Sequence, residues 1–315
     1  MTTLAPPRAD RPTRPPTAAA PRRRRRSVAP LLFLLPFALC FTAFFLVPIG
    51  VAVWQSLFQP RRSGLLGKTT EVFVGAANYL DVLADPKFHE GLLRVLAYAV
   101  LTIPLIMVVA TVLALLLDSA LVRARKVFRL LVFLPYAVPA VIATLLWGFF
   151  YQPQFSPIVR TFDALDWSSP DFLNGTAVLL SMTNIAAWEW IGYNMIIVLA
   201  ALQAIPTSVH EAAKLDGCGE LAVAVRVKLP MVLPAIGLSL LFSLIGAFQF
   251  FNEPAILKPL SATITSYYTP NVYAYQKAFA EGQSGYAGAI AVTLAVVTFL
   301  FSLYFLRLGR RRGVI

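Results

Sequence analysis

The chain has 315 residues, 58% of them hydrophobic and 13% charged, with a formal net charge of +12 at pH 7. A soluble domain of this size cannot hide so much apolar surface, which excludes the soluble classes and leaves a membrane protein. The positive excess does not indicate nucleic acid, because it gathers beside apolar runs, where the positive-inside rule puts cytoplasmic charge.

Residues 1–28 are rich in Pro, Ala, Arg and Thr and lack an apolar period. They are expected to form a disordered basic tail on the cytoplasmic side, setting topology and touching anionic membrane lipid. A helical span needs about 20 mainly apolar residues. Six stretches qualify, at 30–57, 92–117, 128–151, 176–205, 229–257 and 285–306. They read as one all-α, polytopic membrane domain over 29–307, followed by a basic cytoplasmic C-terminus over 308–315. With both termini inside, nineteen of the 27 Lys+Arg face the cytoplasm and eight face out. The first run is too long for a signal-peptide core and is read as a retained span. Cys40 and Cys218 fall in a span and in a cytoplasmic loop, which argues against a disulfide.

Pro36 and Pro48 should bend the first span. Residues 58–91 suit a short strand-like piece and an amphipathic helix at the outer surface. Asp81, Asp85, Lys87, His89 and Glu90 read there as solvated surface, on a face open to a soluble partner. In span 3, Pro135 and Pro139 predict a distorted helix. Span 4 is the least uniformly apolar, with Trp188, Glu189, Trp190, Tyr193 and Asn194. A carboxylate inside a span is costly and usually faces a cavity or a partner. The flanking tryptophans equally suit an interfacial belt. In span 5, Gln249, Asn252 and Glu253 recur at i, i+3, i+4 and should share a helix face lining a pathway or its outer end. Aromatic rings beside amides and carboxylates are the chemistry of carbohydrate binding. The candidate substrate pathway is therefore Trp188, Glu189, Tyr193, Asn194, Gln249, Asn252 and Glu253.

Residues 206–230 form a polar, charged interruption between spans 4 and 5. Ser208 and Glu211 have capping-box spacing, which predicts a helix start. Gly217 allows a turn that a Cβ would resist. A second helical segment, about 220–227, leads into Leu229-Pro230. Such a helix–turn–helix is too polar to cross a bilayer and too ordered for a linker, so it is a docking element.

No GxxxxGK[ST] phosphate loop is present, and His89 and His210 belong to no metal or catalytic motif. The residues therefore call for no cofactor and give an enzyme reading no support beyond the isolated Glu189 and Glu253. Those two carboxylates leave open a proton-coupled secondary carrier, or a membrane-embedded enzyme with Glu189 or Glu253 as acid/base.

Glu211-Ala212-Ala213, then Gly217, Val227 and Leu229-Pro230, resembles the EAA loop of binding-protein-dependent ABC importer permeases, with Val227 where the family has Ile. Gly75-x-x-Asn78-Tyr79, Leu202-Gln203-Ala204-Ile205-Pro206 and Tyr275-x-x-Ala278-Phe279 resemble the carbohydrate (maltose-type) branch. The resemblance implies a type I importer fold with six transmembrane helices in the plasma (inner) membrane. Its partners would be a second permease, two cytoplasmic ABC ATPase subunits that hold the ATP, an extracytoplasmic solute-binding protein and a sugar. The EAA loop would be the coupling helix docked in the ATPase, through Glu211, Ala212, Ala213, Leu215, Asp216, Gly217, Leu229 and Pro230. Ala212 and Ala213 would pack in its groove.

Overall fold

The structure, a computed structural model, describes residues 29–62, 69–119 and 122–311. The tail expected over 1–28 and the last residues, 312–315, lie outside them. The chain divides at Ile49 into two units. The first contains helix α1 (Ala29–Phe41) and a π-helical turn (Thr42–Leu46), and it ends within α2 (Val47–Gln55).

In the second unit, strands β1 (Phe58–Arg62) and β2 (Thr69–Phe73) pair antiparallel, with Phe58 opposite Phe73. Helix α3 (Ala77–Ala84) follows, then α4 (Pro86–Asp118). Helices α5 (Arg125–Phe133) and α6 (Ala140–Tyr151) flank a 3₁₀ turn, and α7 (Pro157–Ala164) is short. Next come α8 (Ala177–Gln203), α9 (Thr207–Leu215), α10 (Glu220–Ala222) and α11 (Leu229–Phe248). Helices α12 (Asn252–Leu257), α13 (Pro270–Tyr275) and α14 (Ser284–Arg311) complete the chain.

Among the described residues five helices are long and apolar enough to cross a membrane, and six if the bent pair α5–α6 counts as one span. The expected six spans are thus recovered, and the distortion expected at Pro135 and Pro139 is a 93° bend. Pro139 has an extended ψ of 132° and caps α6, so the helix must restart after it.

Helices α4 and α8 pack along one another. Val95, Ala99, Met182 and Ile185 meet in one buried cluster, and Ala110, Ala114, Met195 and Val198 in a second. Small residues set the closest approaches. A Cβ on Gly192 of α8 would lie 2.1 Å from the Val132 carbonyl oxygen of α5. One on Gly285 would lie 2.0 Å from the Phe58 oxygen, so the small residues at the start of α14 do permit close packing.

Buried polar groups fasten the outer elements. Asn78 is fully buried; its Nδ2 donates to the Ser56 and Phe58 carbonyls at 2.6 and 3.0 Å. Its Oδ1 accepts from Gln59 Nε2 at 2.8 Å. Asp85, read from sequence as solvated surface, is a junction instead. Its Oδ1 caps α4 through the Lys87 N–H at 2.9 Å, and its Oδ2 accepts from Tyr273 and Tyr286 hydroxyls at 2.7 and 2.8 Å. Partial burial pushes its pKa up. The two phenols, the Lys87 N–H and the Lys87 charge outweigh that and hold it below the usual carboxylate range.

Candidate functional site

A cavity of about 440 Å³ opens where α4, the α5–α6 bend, α8 and the end of α11 converge. Two interruptions of helix build it. The first is the proline bend, which presents Tyr136. Its ring stacks on Tyr193 at 4.8 Å and meets Trp190 edge-on at 5.4 Å.

The second interruption corrects a sequence expectation. Gln249, Asn252 and Glu253 do not share one continuous helix face, because α11 ends at Phe248 and α12 begins at Asn252. The break spans Gln249 to Phe251, with Phe251 at φ −141°. Breaking a helix between spans frees carbonyls that must be re-satisfied. Here Asn271 Nδ2 donates to the Phe248 carbonyl at 2.9 Å, and Thr269 Oγ1 to that of Phe250 at 3.0 Å. Thr269 is fully buried. Phe250 then stacks on Tyr98 at 3.8 Å with a 2° interplanar angle. The break turns all three polar residues into the cavity wall, which periodicity alone could not show.

Glu189, Tyr193, Asn194, Gln249, Asn252 and Glu253 all line this cavity. Trp188 does not; it packs edge-on to Trp147 at 6.0 Å, and its neighbour Trp190 lines the wall instead. Glu189 is buried at 6% exposure, so it faces the interior of the fold. Asn194 is already engaged: Nδ2 donates to the Trp190 carbonyl at 2.9 Å, and Oδ1 accepts from Ser239. Sequence reasoning missed Tyr98, Thr102 and Tyr136 as wall residues: Tyr98 and Thr102 share a helix face at i, i+4, but all three lie in runs that hold no amide or carboxylate to mark a site. No Lys, Arg or His is among the described lining residues. The wall therefore offers ring faces, amides and two carboxylates: acceptors for hydroxyls and surfaces for C–H faces, with nothing to neutralise an anion.

The 206–230 element folds as the expected helix–turn–helix, with differences in detail. The capping box does not form. Pro206 occupies the N-cap of α9 without a side-chain bond, which puts Ser208 inside the first turn. The C-terminus is a Schellman turn: the Cys218 N–H donates to the Ala213 carbonyl and the Gly217 N–H to that of Lys214, both at 3.0 Å. Gly217 sits at φ +80°, the left-handed region that a Cβ disfavours. Lys214 then pairs with Glu220 at 2.9 Å across the turn.

Beyond the turn, α10 continues without a break through a π-helical turn, Val223–Lys228, into α11. Pro230 has no N–H to give, and the wider π turn accommodates it; the Leu229 N–H reaches back to Ala224. Lys228 and Asp118 pair at 2.7 Å with side chains only 17% and 15% exposed, tying this element to the end of α4. Ala213 is buried within the fold, so of the two alanines only Ala212 faces outward, contrary to the expectation that both enter a partner's groove. Glu211, Asp216 and Pro230 are exposed, and Leu229 is half-buried beside the second core cluster. Leu215 and Leu221 are 89% and 78% exposed, large apolar side chains that no described residue covers.

Residues 110–313 match the family described as "Binding-protein-dependent transport system inner membrane component". The chain is 31% identical to the probable ABC transporter permease protein YurN of Bacillus subtilis (strain 168), over 89% of this chain and 95% of that one. It is also 31% identical to the arabinooligosaccharides transport system permease protein AraP of the same organism, over 90% and 89% of the two chains. Its fold matches a chain of a bacterial ABC transporter involved in import of the acidic polysaccharide alginate, with TM-score 0.76, 20% identity, and 90% and 95% coverage. The enzyme and secondary-carrier readings of Glu189 and Glu253 fall away with these matches. The chain belongs to the binding-protein-dependent transport family, as an inner-membrane permease subunit of an ABC importer.

Proposed function

We propose that this permease imports an uncharged saccharide. The observation that carries the reading is the cavity wall: stacked aromatic rings beside Gln249, Asn252, Glu189 and Glu253, with no cation among its described residues. An anionic sugar entering that wall would meet two carboxylates and lose its hydration without a counter-charge. AraP is named for arabinooligosaccharides, which are neutral. The related fold in the alginate importer handles an acidic polysaccharide, and the present cavity argues against such a cargo.

Coupling would run through the exposed face of α9 and its turn, namely Glu211, Ala212, Leu215, Asp216 and Gly217. Leu229 and Pro230 would transmit the movement into α11 as rigid-body tilt. Ala213 supports this element from within. The partners would be a second permease, two cytoplasmic ABC ATPases and an extracytoplasmic solute-binding protein; a structure of the alginate importer contains a periplasmic protein bound to an alginate pentasaccharide. Both termini, with the basic segments 1–28 and 308–315, would be cytoplasmic.

The test is uptake by the reconstituted complex, comparing a neutral oligosaccharide with a uronate oligosaccharide, for the natural chain and Glu189→Ala, Asn252→Ala and Glu253→Ala. Neutral-sugar uptake that falls in these variants, with assembly intact, supports the reading. Normal uptake in all three removes the cavity site, and preference for the uronate removes the charge argument.

A further inference from the structure

Helix α13 runs into a π-helical turn, Gln276–Ala280, whose two sides are put to different uses. Positions 273 and 277 fall on one side and fasten the segment to the fold. The Tyr273 hydroxyl donates to Asp85 at 2.7 Å. Lys277 Nζ pairs with Glu281 at 2.8 Å and lies 5.4 Å from the Tyr273 and Tyr286 ring centres. Positions 275 and 279 are two residues on in each case and so fall on the opposite side, about 200° away in α-helical geometry and somewhat less in the wider π turn. Tyr275 and Phe279 are 54% and 77% exposed there, with ring centres 4.8 Å apart.

The rings do not stand alone. Tyr275 lies 5.6 Å from Phe251, which belongs to the break in the α11–α12 helix and lines the cavity beside Phe250. The series Phe279, Tyr275, Phe251 thus leads from an exposed face to the cavity wall in steps of 4.8 and 5.6 Å. Those steps are shorter than a sugar ring with its substituents. A saccharide could therefore pass from one ring face to the next without full rehydration.

We propose that Tyr275 and Phe279 form an outer stacking subsite for a neutral saccharide, with Phe251 handing it to the cavity. This rests on the saccharide reading above. It goes further by giving the substrate an approach and by assigning a task to the Tyr275-x-x-Ala278-Phe279 motif. The subsite acts through ring faces, so it requires an aromatic side chain and not merely an apolar one.

The test is ATP-driven uptake of a neutral oligosaccharide by the assembled complex, for the natural chain, Phe279→Tyr, Phe279→Leu and Tyr275→Leu. Co-purification of the partner subunits is measured in parallel. The expected result is near-normal uptake for Phe279→Tyr and a loss of about threefold to tenfold for each Leu variant at unchanged assembly. Natural uptake in the Leu variants would show that the rings serve only as apolar membrane-interface anchors, and it overturns the subsite while leaving the saccharide reading intact. Weakened co-purification of the second permease in the Leu variants makes the patch a subunit contact and also overturns the subsite. No uptake of any neutral saccharide by the natural complex overturns the saccharide reading and the subsite with it.

Discussion

The close approach of α8 to α5 at Gly192 makes a severe test of how the cavity is built. In Gly192→Ala the added Cβ would sit 2.1 Å from the Val132 carbonyl oxygen and 2.8 Å from the Phe133 Cα. All of these are backbone atoms, so no side chain can rotate away. Ordinary contact begins near 3.4 Å, so α5 must retreat by more than 1 Å. Overpacking of this kind costs about 1–3 kcal/mol, with backbone contacts toward the upper end. The retreat also moves the bend that follows α5, and with it Tyr136, whose ring stacks on Tyr193 at 4.8 Å. The variant should therefore melt about 5 °C or more below the natural chain and transport more slowly even at temperatures where both are folded. Thermal unfolding of the purified complex and uptake measured well below both transitions check the two parts separately. Gly50→Ala is the control, since no described atom beyond its own helix backbone lies within 4 Å of its added Cβ. A Gly192→Ala complex with natural melting and natural uptake would refute the helix contact on which the bend depends.

Gly217 at φ +80° has open space around it, so Gly217→Ala should cost only the left-handed penalty of about 1–2 kcal/mol, and Gly217→Asn less. Gly217→Pro removes the N–H that bonds Lys214 and cannot adopt that φ; ATPase-subunit co-purification and uptake should both disappear, as should coupling in Glu211→Lys. Asp118→Ala and Lys228→Met each strand a partly buried charge. A double-mutant cycle read by thermal unfolding should give a coupling of about 1–3 kcal/mol, and a value near zero would remove the tie between α4 and the π turn. The folded-state pKa of Asp85 is lowered, so its stabilising contribution is complete above the unfolded value of about 4 and is lost as pH falls through the folded one. The stability gap between the natural chain and Asp85→Asn should accordingly narrow below about pH 4, and a gap constant with pH would contradict the junction.

The sequence by itself determined the membrane class, the six spans and the polar helix–turn–helix between the fourth and fifth, because each depends on local composition or spacing. An apolar run long enough to cross a bilayer has few alternatives, and a polar helix–turn–helix between two such runs is legible without any neighbour. The prolines at 135 and 139 announced a distortion, and Gly217 announced a turn, through backbone chemistry alone.

What only the tertiary structure decided are the pairings between distant segments. Periodicity assumed an unbroken helix through Gln249, Asn252 and Glu253. The break there exists because Thr269 and Asn271, about twenty residues on, accept the role of satisfying its freed carbonyls. The same distance effect turned Asp85 from a surface carboxylate into a junction, since its two phenol partners lie 188 and 201 residues away. It also sorted Trp188 from Trp190, and Ala213 from Ala212, because helical positions one or two apart point about 100° or 200° apart and only the packing of neighbours fixes which one faces the cavity or the outside of the fold.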